Sequence, residues 1–191
     1  MGELILVRHG ETEWARDGRH TGRTDVPLTP HGETQARALA PLLAERRFAL
    51  VLVSPAERAR HTAELAGLTG RETDERLWEW DYGAYEGRTT AQIRQERPGW
   101  WLWRDGVVGG ETVEQVGARV DGVLERVEPH LAEGDVVLVA HGHVLRVLTA
   151  RRLGLPPENG RLFKLSTGTL SALGTEHDEP VIGFWNLPAP G

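Results

Sequence analysis

Leu4-Ile5-Leu6-Val7-Arg8-His9-Gly10-Glu11-Thr12 sets four consecutive apolar residues directly against a cation, an imidazole and a glycine. A run of that length and composition reads as a short strand buried on both faces. A guanidinium at its end must reach a cleft or a partner, because a buried unpaired charge is costly. Gly10 is read as the point where the backbone turns sharply. Alone, Arg8-His9 fits a strand end closed by an ordinary salt bridge. Two later stretches that end in the same manner change that reading.

Phe48 to Val53 is a second apolar run of strand length. The residues after it, Ser54-Pro55-Ala56-Glu57-Arg58, predict a capping box with Ser54 as N-cap, Pro55 at the first helical position and Glu57 at the third. Arg58 then lies in the first turn, where the helix already favours anions; the plainer alternative pairs it with Glu57. Asp135 to Ala140 is the third run, and His141-Gly142-His143 follows at once. Val144, Leu145 and Leu148 form the inner face of the next helix, which Gly154 and Pro156 stop. Three strand-then-helix units of this kind describe an α/β protein with a mostly parallel sheet, whose ligands bind outside the carboxyl ends of the strands. Arg8, His9, Arg58 and His141 then converge, and two guanidinia with two imidazoles suit a tetrahedral phosphoryl group.

The 191 residues suffice for one buried core, and no repeat, linker or low-complexity segment divides them, so residues 1–191 are read as a single domain. The hydrophobic fraction of 39% and charged fraction of 26% are those of a globular protein. A net charge of −6 gives no reason to expect nucleic acid or an anionic membrane as partner. Lys164 is the only lysine, and the chain has no cysteine, which excludes disulfides and thiolate metal sites. The absence of a long apolar run or a signal-peptide pattern leads to the expectation of a cytoplasmic protein.

A proton donor is expected in Leu77-Trp78-Glu79-Trp80-Asp81-Tyr82-Gly83-Ala84-Tyr85-Glu86-Gly87, where aromatics flank three carboxylates. A carboxyl held against apolar rings tends toward the raised pKa of a general acid. Chemistry alone does not choose among Glu79, Asp81 and Glu86. His141-Gly142-His143 with His9, Glu79 and Asp81 also has the ligand types of a metal site, but Arg8 and Arg58 would repel a divalent cation, so no metal and no cofactor are expected.

Leu6-Val7-Arg8-His9-Gly10-Glu11-Thr12, the Ser54-Pro55 to Thr62-Ala63 stretch with Arg58, and Val139-Ala140-His141-Gly142 together resemble the histidine phosphatase (phosphoglycerate mutase-like) superfamily. The match runs in order over nearly the whole chain. The resemblance implies a three-layer α/β/α sandwich and hydrolysis of small phosphate esters through a phosphohistidine. It implies His9 as nucleophile, with Arg8, Arg58 and His141 completing the phosphate pocket. The pattern Leu-x-Glu-x-x-Tyr-Gly places the acid on Glu79, and Thr21, Gly22 and Tyr82 are the expected substrate contacts. The acid segment looks most like that of microbial acid phosphatases and sugar bisphosphatases, which makes sugar phosphates the natural substrates. A mutase-type phosphotransferase is the main alternative, and a non-catalytic phospho-ligand binding module the other; a homodimer is compatible with the chain without being specified by it.

Against the mutase, Ala15 and Thr90 stand where mutases carry Asn and Lys, and Trp100, Trp101 and Trp103 stand where they carry an Arg pair. A pocket rimmed by Trp is therefore expected, with Arg16, Arg19 or Arg104 as substitutes for a missing cation. Those Trp residues read equally as a lid and as a satellite core, and His143 as a core residue or one supporting the site. Elsewhere, Trp14 to Leu28 reads as loop and Thr29-Pro30 opens a helix through Ala36, Leu39, Ala40 and Leu43. Thr89 to Glu96 is a short helix, and Thr112 with Gln115 caps a long one. Arg161 to Leu165, Thr169 to Leu173 and Val181 to Trp185 read as strands.

Overall fold

The first apolar run becomes β1 (Leu4–Arg8), and its side chains alternate between two separate cores. In the computed structural model, which describes residues 2–189, β1 is followed by α1 (Glu13–Arg16), α2 (Pro30–Ala38), α3 (Ala40–Ala44), β2 (Phe48–Val53), α4 (Glu57–Leu65) and β3 (Arg71–Thr73). Then come α5 (Thr90–Glu96), α6 (Leu102–Asp105), α7 (Val113–Val127), β4 (Asp135–Ala140), α8 (Gly142–Arg152), β5 (Thr169–Glu176) and β6 (Glu179–Pro188). The strands form one sheet in the order β3-β2-β4-β1-β5-β6. The first four are mutually parallel, while β5 and β6 close one side as an antiparallel pair.

Period-two alternation assigns each strand residue to a layer. Ile5, Val7, Val51, Val53, Val137 and Val139 pack with Leu39, Leu43, Ala59 and Ala63 of the α2–α4 layer. Leu4, Leu6, Leu52, Val136, Leu138 and Ala140 pack on the other face with Val116, Val120, Val123, Val144 and Leu148 of α7 and α8. This is the three-layer α/β/α arrangement with a mostly parallel sheet expected from the sequence.

Several local expectations are corrected. The Ser54 capping box does not form: α4 starts at Glu57, because the Ser54 hydroxyl is engaged by His141 and the Glu57 N–H is capped by Asp25 at 2.9 Å. The helix that Thr29 opens breaks at Leu39, since Pro41 lacks the N–H needed to continue it. Residues 13–16 form one helical turn inside the expected loop. Arg161 to Leu165 is not a strand; Pro157–Leu162 coils instead, held by Arg146 Nε donating to the Gly160 carbonyl at 3.0 Å. The short β3 was missed because its residues Arg71–Thr73 are all exposed and carry no alternation. Trp100 and Trp103 are buried in the α7–α8 core, and only Trp101 is exposed, so the segment is core and not a lid.

Gly10 has an ordinary backbone φ, and what requires glycine there is close approach: a Cβ would lie 2.2 Å from the Gly32 carbonyl oxygen. Gly32 faces the same constraint, with a Cβ 2.1 Å from the Glu11 carbonyl oxygen. Backbone-to-backbone crowding of this kind cannot be relieved by a rotamer change. Gly32→Ala is expected to lower stability by about 1–3 kcal/mol. A denaturant midpoint unchanged from the parent protein would contradict it.

Candidate active site

The parallel register of β1 on β4 sets Arg8 beside Ala140, so the residues just beyond each strand, His9 and His141, are neighbours. The His9 N–H extends the ladder to the Ala140 carbonyl at 3.0 Å, and the two imidazoles stand edge to face with centroids 5.1 Å apart. His9 Nδ1 lies 2.7 Å from the Gly10 carbonyl oxygen. A carbonyl only accepts, so the proton is on Nδ1 and the lone pair is left on Nε2. Burial, then Arg58 and Arg8, hold His9 well below the ordinary imidazole pKa of 6.5. The ring is thus neutral, with an uncommitted lone pair on Nε2.

Arg58 has no solvent exposure and no carboxylate partner among the described residues. Its Nε donates to His141 Nδ1 at 3.1 Å, Nη1 to the Thr24 carbonyl at 2.9 Å and Nη2 to the Gly22 carbonyl at 2.9 Å. Glu86 holds that loop in turn, accepting from the Gly22 and Thr24 N–H groups at 2.9 and 3.1 Å. Because Arg58 donates to Nδ1, the His141 proton is on Nε2, which donates to Ser54 Oγ at 2.7 Å. Arg8 is held from the other side: Nη1 donates to the Leu165 carbonyl, while Nε is buried without a partner among the described residues. A Cβ on Gly142 would lie 3.2 Å from the Arg8 guanidinium carbon, so glycine there lets α8 begin against it.

Glu79 is buried, and its carboxylate sits at the start of α8, not on the flanking rings as expected. It accepts from the N–H groups of Trp80, His143 and Val144 at 2.8–2.9 Å. The other two acids are used elsewhere: Glu86 on the loop beneath Arg58, Asp81 on the Gly83 N–H at 2.9 Å. Arg119 of α7 fixes the Glu79 segment, donating to the Arg76, Trp78 and Glu79 carbonyls while paired with both oxygens of Glu111.

Arg8, His9, Ala15, Arg19, His20, Thr21, Glu79, Tyr82, Gly142, His143 and Arg146 line a cavity of about 90 Å³. Thr21 and Tyr82, expected from the sequence as substrate contacts, are among its lining residues. Gly22 does not line it: its N–H and carbonyl are spent on Glu86 and Arg58. Nor do Arg58 and His141, although both adjoin His9. The expected Trp rim is also corrected, since the tryptophans are one layer further back and the cavity carries Arg19 and Arg146 instead. Arg16 pairs with Glu13 and Asp17, and Arg104 with Asp105, away from the site. Arg146 escaped the sequence reading altogether, although its i+3 spacing from His143 on α8 places both on one face. Among the described residues no three His, Cys, Asp or Glu side chains converge to hold a metal ion.

A six-stranded, mostly parallel sheet whose strand ends gather two imidazoles, two arginines and a buried carboxylate defines a phosphoryl-transfer α/β protein. Residues 4–188 match the family model of the histidine phosphatase superfamily (branch 1), and the chain belongs to that family. It is 43% identical over 98% of its length to an acid phosphatase of Mycobacterium tuberculosis, of which it covers 95%. It is 38% identical to the sedoheptulose 1,7-bisphosphatase of Saccharomyces cerevisiae, over 79% of this chain and 67% of that one. A solved structure of an open reading frame from Mycobacterium tuberculosis superposes with a TM-score of 0.94 at 41% identity, covering 99% of both chains. The protein is accordingly a histidine phosphatase. No helix among the described residues is long and apolar enough to cross a membrane.

Four histidines in or behind the cavity are kept neutral, with burial as the largest cause in each. His9, His141 and His143 lie well below 6.5, and His20 is lowered to about 4. Depressed imidazole pKa values mean that the unfolded chain takes up protons the native state refuses as pH falls below 6.5. Stability from these groups is therefore present above that pH and is lost progressively as pH falls below it. Urea midpoints between pH 7.5 and 5.5 test this; a midpoint independent of pH in that window contradicts it.

Proposed function

We propose that His9 Nε2 attacks the phosphorus of a small phosphate ester in line, forming the N–P bond as the P–O bond to the leaving group breaks. Glu79 gives its proton to the departing oxygen. It then takes a proton from the water that attacks the phosphohistidine, breaking the N–P bond and restoring His9. Arg8 meets the equatorial oxygens in the cavity, and Arg58 with His141, both beside His9, stabilises their charge electrostatically, so positioning and electrostatics carry the reaction without a metal. The observation that supports this most is the free, uncharged Nε2 of His9, fixed by the Gly10 carbonyl beside two guanidinia that form no ion pair among the described residues. The chain acts as one domain on phosphorylated metabolites of the cytoplasm, sugar phosphates first among them.

His9→Ala is expected to abolish ester hydrolysis, and EDTA to leave the parent enzyme active. Glu79→Gln cannot move the proton, so turnover of an alkyl phosphate should fall by about 100-fold or more, and that of nitrophenyl phosphate much less. The same leaving-group dependence in Asp81→Asn or Glu86→Gln, and not in Glu79→Gln, would reassign the acid. Isomerisation of 3-phosphoglycerate far faster than hydrolysis of any ester would overturn the phosphatase reading in favour of a mutase.

The acid limb of kcat/KM tests the electrostatics separately. Since His9 is lowered from 6.5, its protonation removes activity only at more acidic pH. Arg58→Gln deletes one cause of that lowering and should move the limb toward higher pH, whatever it does to the maximal rate. A limb that stays in place shows that Arg58 does not set the state of His9.

A further inference from the structure

The cavity holds four groups that the phosphoryl chemistry does not use: Arg19, His20, His143 and Arg146. His20 Nε2 is buried and makes no hydrogen bond among the described residues. Its ring packs against Tyr82 at 4.8 Å and Trp100 at 5.6 Å, with His143 at 6.3 Å. His143 Nδ1 is tied to the Tyr82 hydroxyl at 2.5 Å, and Tyr82 stays protonated because burial raises its pKa well above 10. Arg146 lies 4.8 Å over the Trp103 ring, anchored through Nε and Nη2 to the Gly160 and Arg161 carbonyls. Arg19 lies 5.9 Å over Trp14, and neither guanidinium has an ion pair among the described residues.

A histidine serving only to fill an aromatic cage would be better replaced by phenylalanine, because an unmet buried polar group costs about 1–3 kcal/mol. Burial also keeps the ring uncharged across the physiological range, so what it presents is a hydrogen-bonding edge and not a cation. The two arginines add positive charge to the cavity, which Glu79 also lines and Arg58 does not. An uncharged edge next to guanidinia without ion pairs among the described residues matches a ligand bearing both hydroxyls and a second negative group.

We propose that Arg19, His20, His143 and Arg146 form a leaving-group subsite, in which His20 Nε2 hydrogen-bonds a substrate hydroxyl and the two arginines hold a second anionic group. The substrate class is then a polyol carrying two phosphates, with one cleaved at His9 and the other held by Arg19 and Arg146. This rests on the phosphoryl site proposed above. His20 is a specificity-determining contact, distinct from the groups that move protons or charge at phosphorus.

The test compares phenyl phosphate, ribose 5-phosphate and fructose 1,6-bisphosphate in the full-length enzyme. His20→Phe keeps the ring against Tyr82 and Trp100 and removes both nitrogens. It should lower kcat/KM for both sugar phosphates about ten-fold more than for phenyl phosphate, chiefly through KM. His20→Gln should restore much of the difference. Arg146→Gln should cost the bisphosphate about ten-fold more than ribose 5-phosphate. Equal losses on all three esters, or none, overturn the subsite. If the parent protein hydrolyses no ester, the phosphatase reading fails, and calorimetric binding of the same two sugar phosphates judges the subsite by itself. A preference for the bisphosphate that His20→Phe and Arg146→Gln reduce upholds it, and identical affinities in parent and variants overturn it.

Discussion

A buried guanidinium without a carboxylate is the constraint on which this fold depends. Arg58 has no solvent exposure, yet its partners are three backbone carbonyls and one imidazole, all neutral. Burying a charge against dipoles alone is expensive. Burial lowers the pKa of Arg58 itself, and Glu79 is the largest opposing influence. Arg8 repeats the pattern with a buried Nε that nothing in the described chain accepts from. Such uncompensated cations tend to persist where a ligand supplies the countercharge. In the reaction proposed here a phosphoryl dianion would do so, and its negative charge would be worth more in this low-dielectric setting than in water.

The rest of the site is arranged to hold those cations still. Glu86 fixes the 22–24 loop through its N–H groups, the loop's carbonyls fix Arg58, Arg58 fixes the His141 tautomer, and His141 reaches Ser54 at the end of β2. On the other side Glu111 and Arg119 hold the backbone that carries Glu79, whose carboxylate then grips the first N–H groups of α8. Glu86, which the sequence offered as a proton donor, is therefore part of the frame, while Asp81 holds the Gly83 N–H. Each link is a satisfied hydrogen bond, and the network gains from being complete.

The central fold was legible because its three buried strands are continuous apolar runs that terminate in the functional residues themselves. Arg8, His9, Arg58 and His141 were found on that pattern, and Glu79 was chosen only through the family resemblance. What stayed hidden depended on tertiary contacts. The Ser54 capping box was a sound local pattern that lost to the long-range bond with His141. Gly22 was expected as a substrate contact only through the resemblance, and a Cβ there would lie 2.7 Å from both Glu86 and the Trp80 carbonyl, so close packing already requires glycine at that position. Arg146 sits mid-helix with nothing to distinguish it except its spacing from His143. His20 offered no local signal, since its surroundings come from residues 82, 100 and 143.

The tryptophans show how one misread segment alters the chemistry inferred for the whole. Placed at the rim, they would make the pocket poor in cations and indifferent to a charged leaving group. In the structure they stand behind it, Trp103 packing on His143 at 5.4 Å and on Trp80 at 5.6 Å while Arg146 lies across its face. An aromatic wall in that position excludes water from the backs of the imidazoles and supports the guanidinium by cation–π attraction. It strengthens the polar contacts in front of it and does not replace them. Three guanidinia and one carboxylate thus line the cavity of a chain whose net charge is −6. The local sign is opposite to the global one, so the field that draws a phosphate ester is confined to the strand ends where His9 waits.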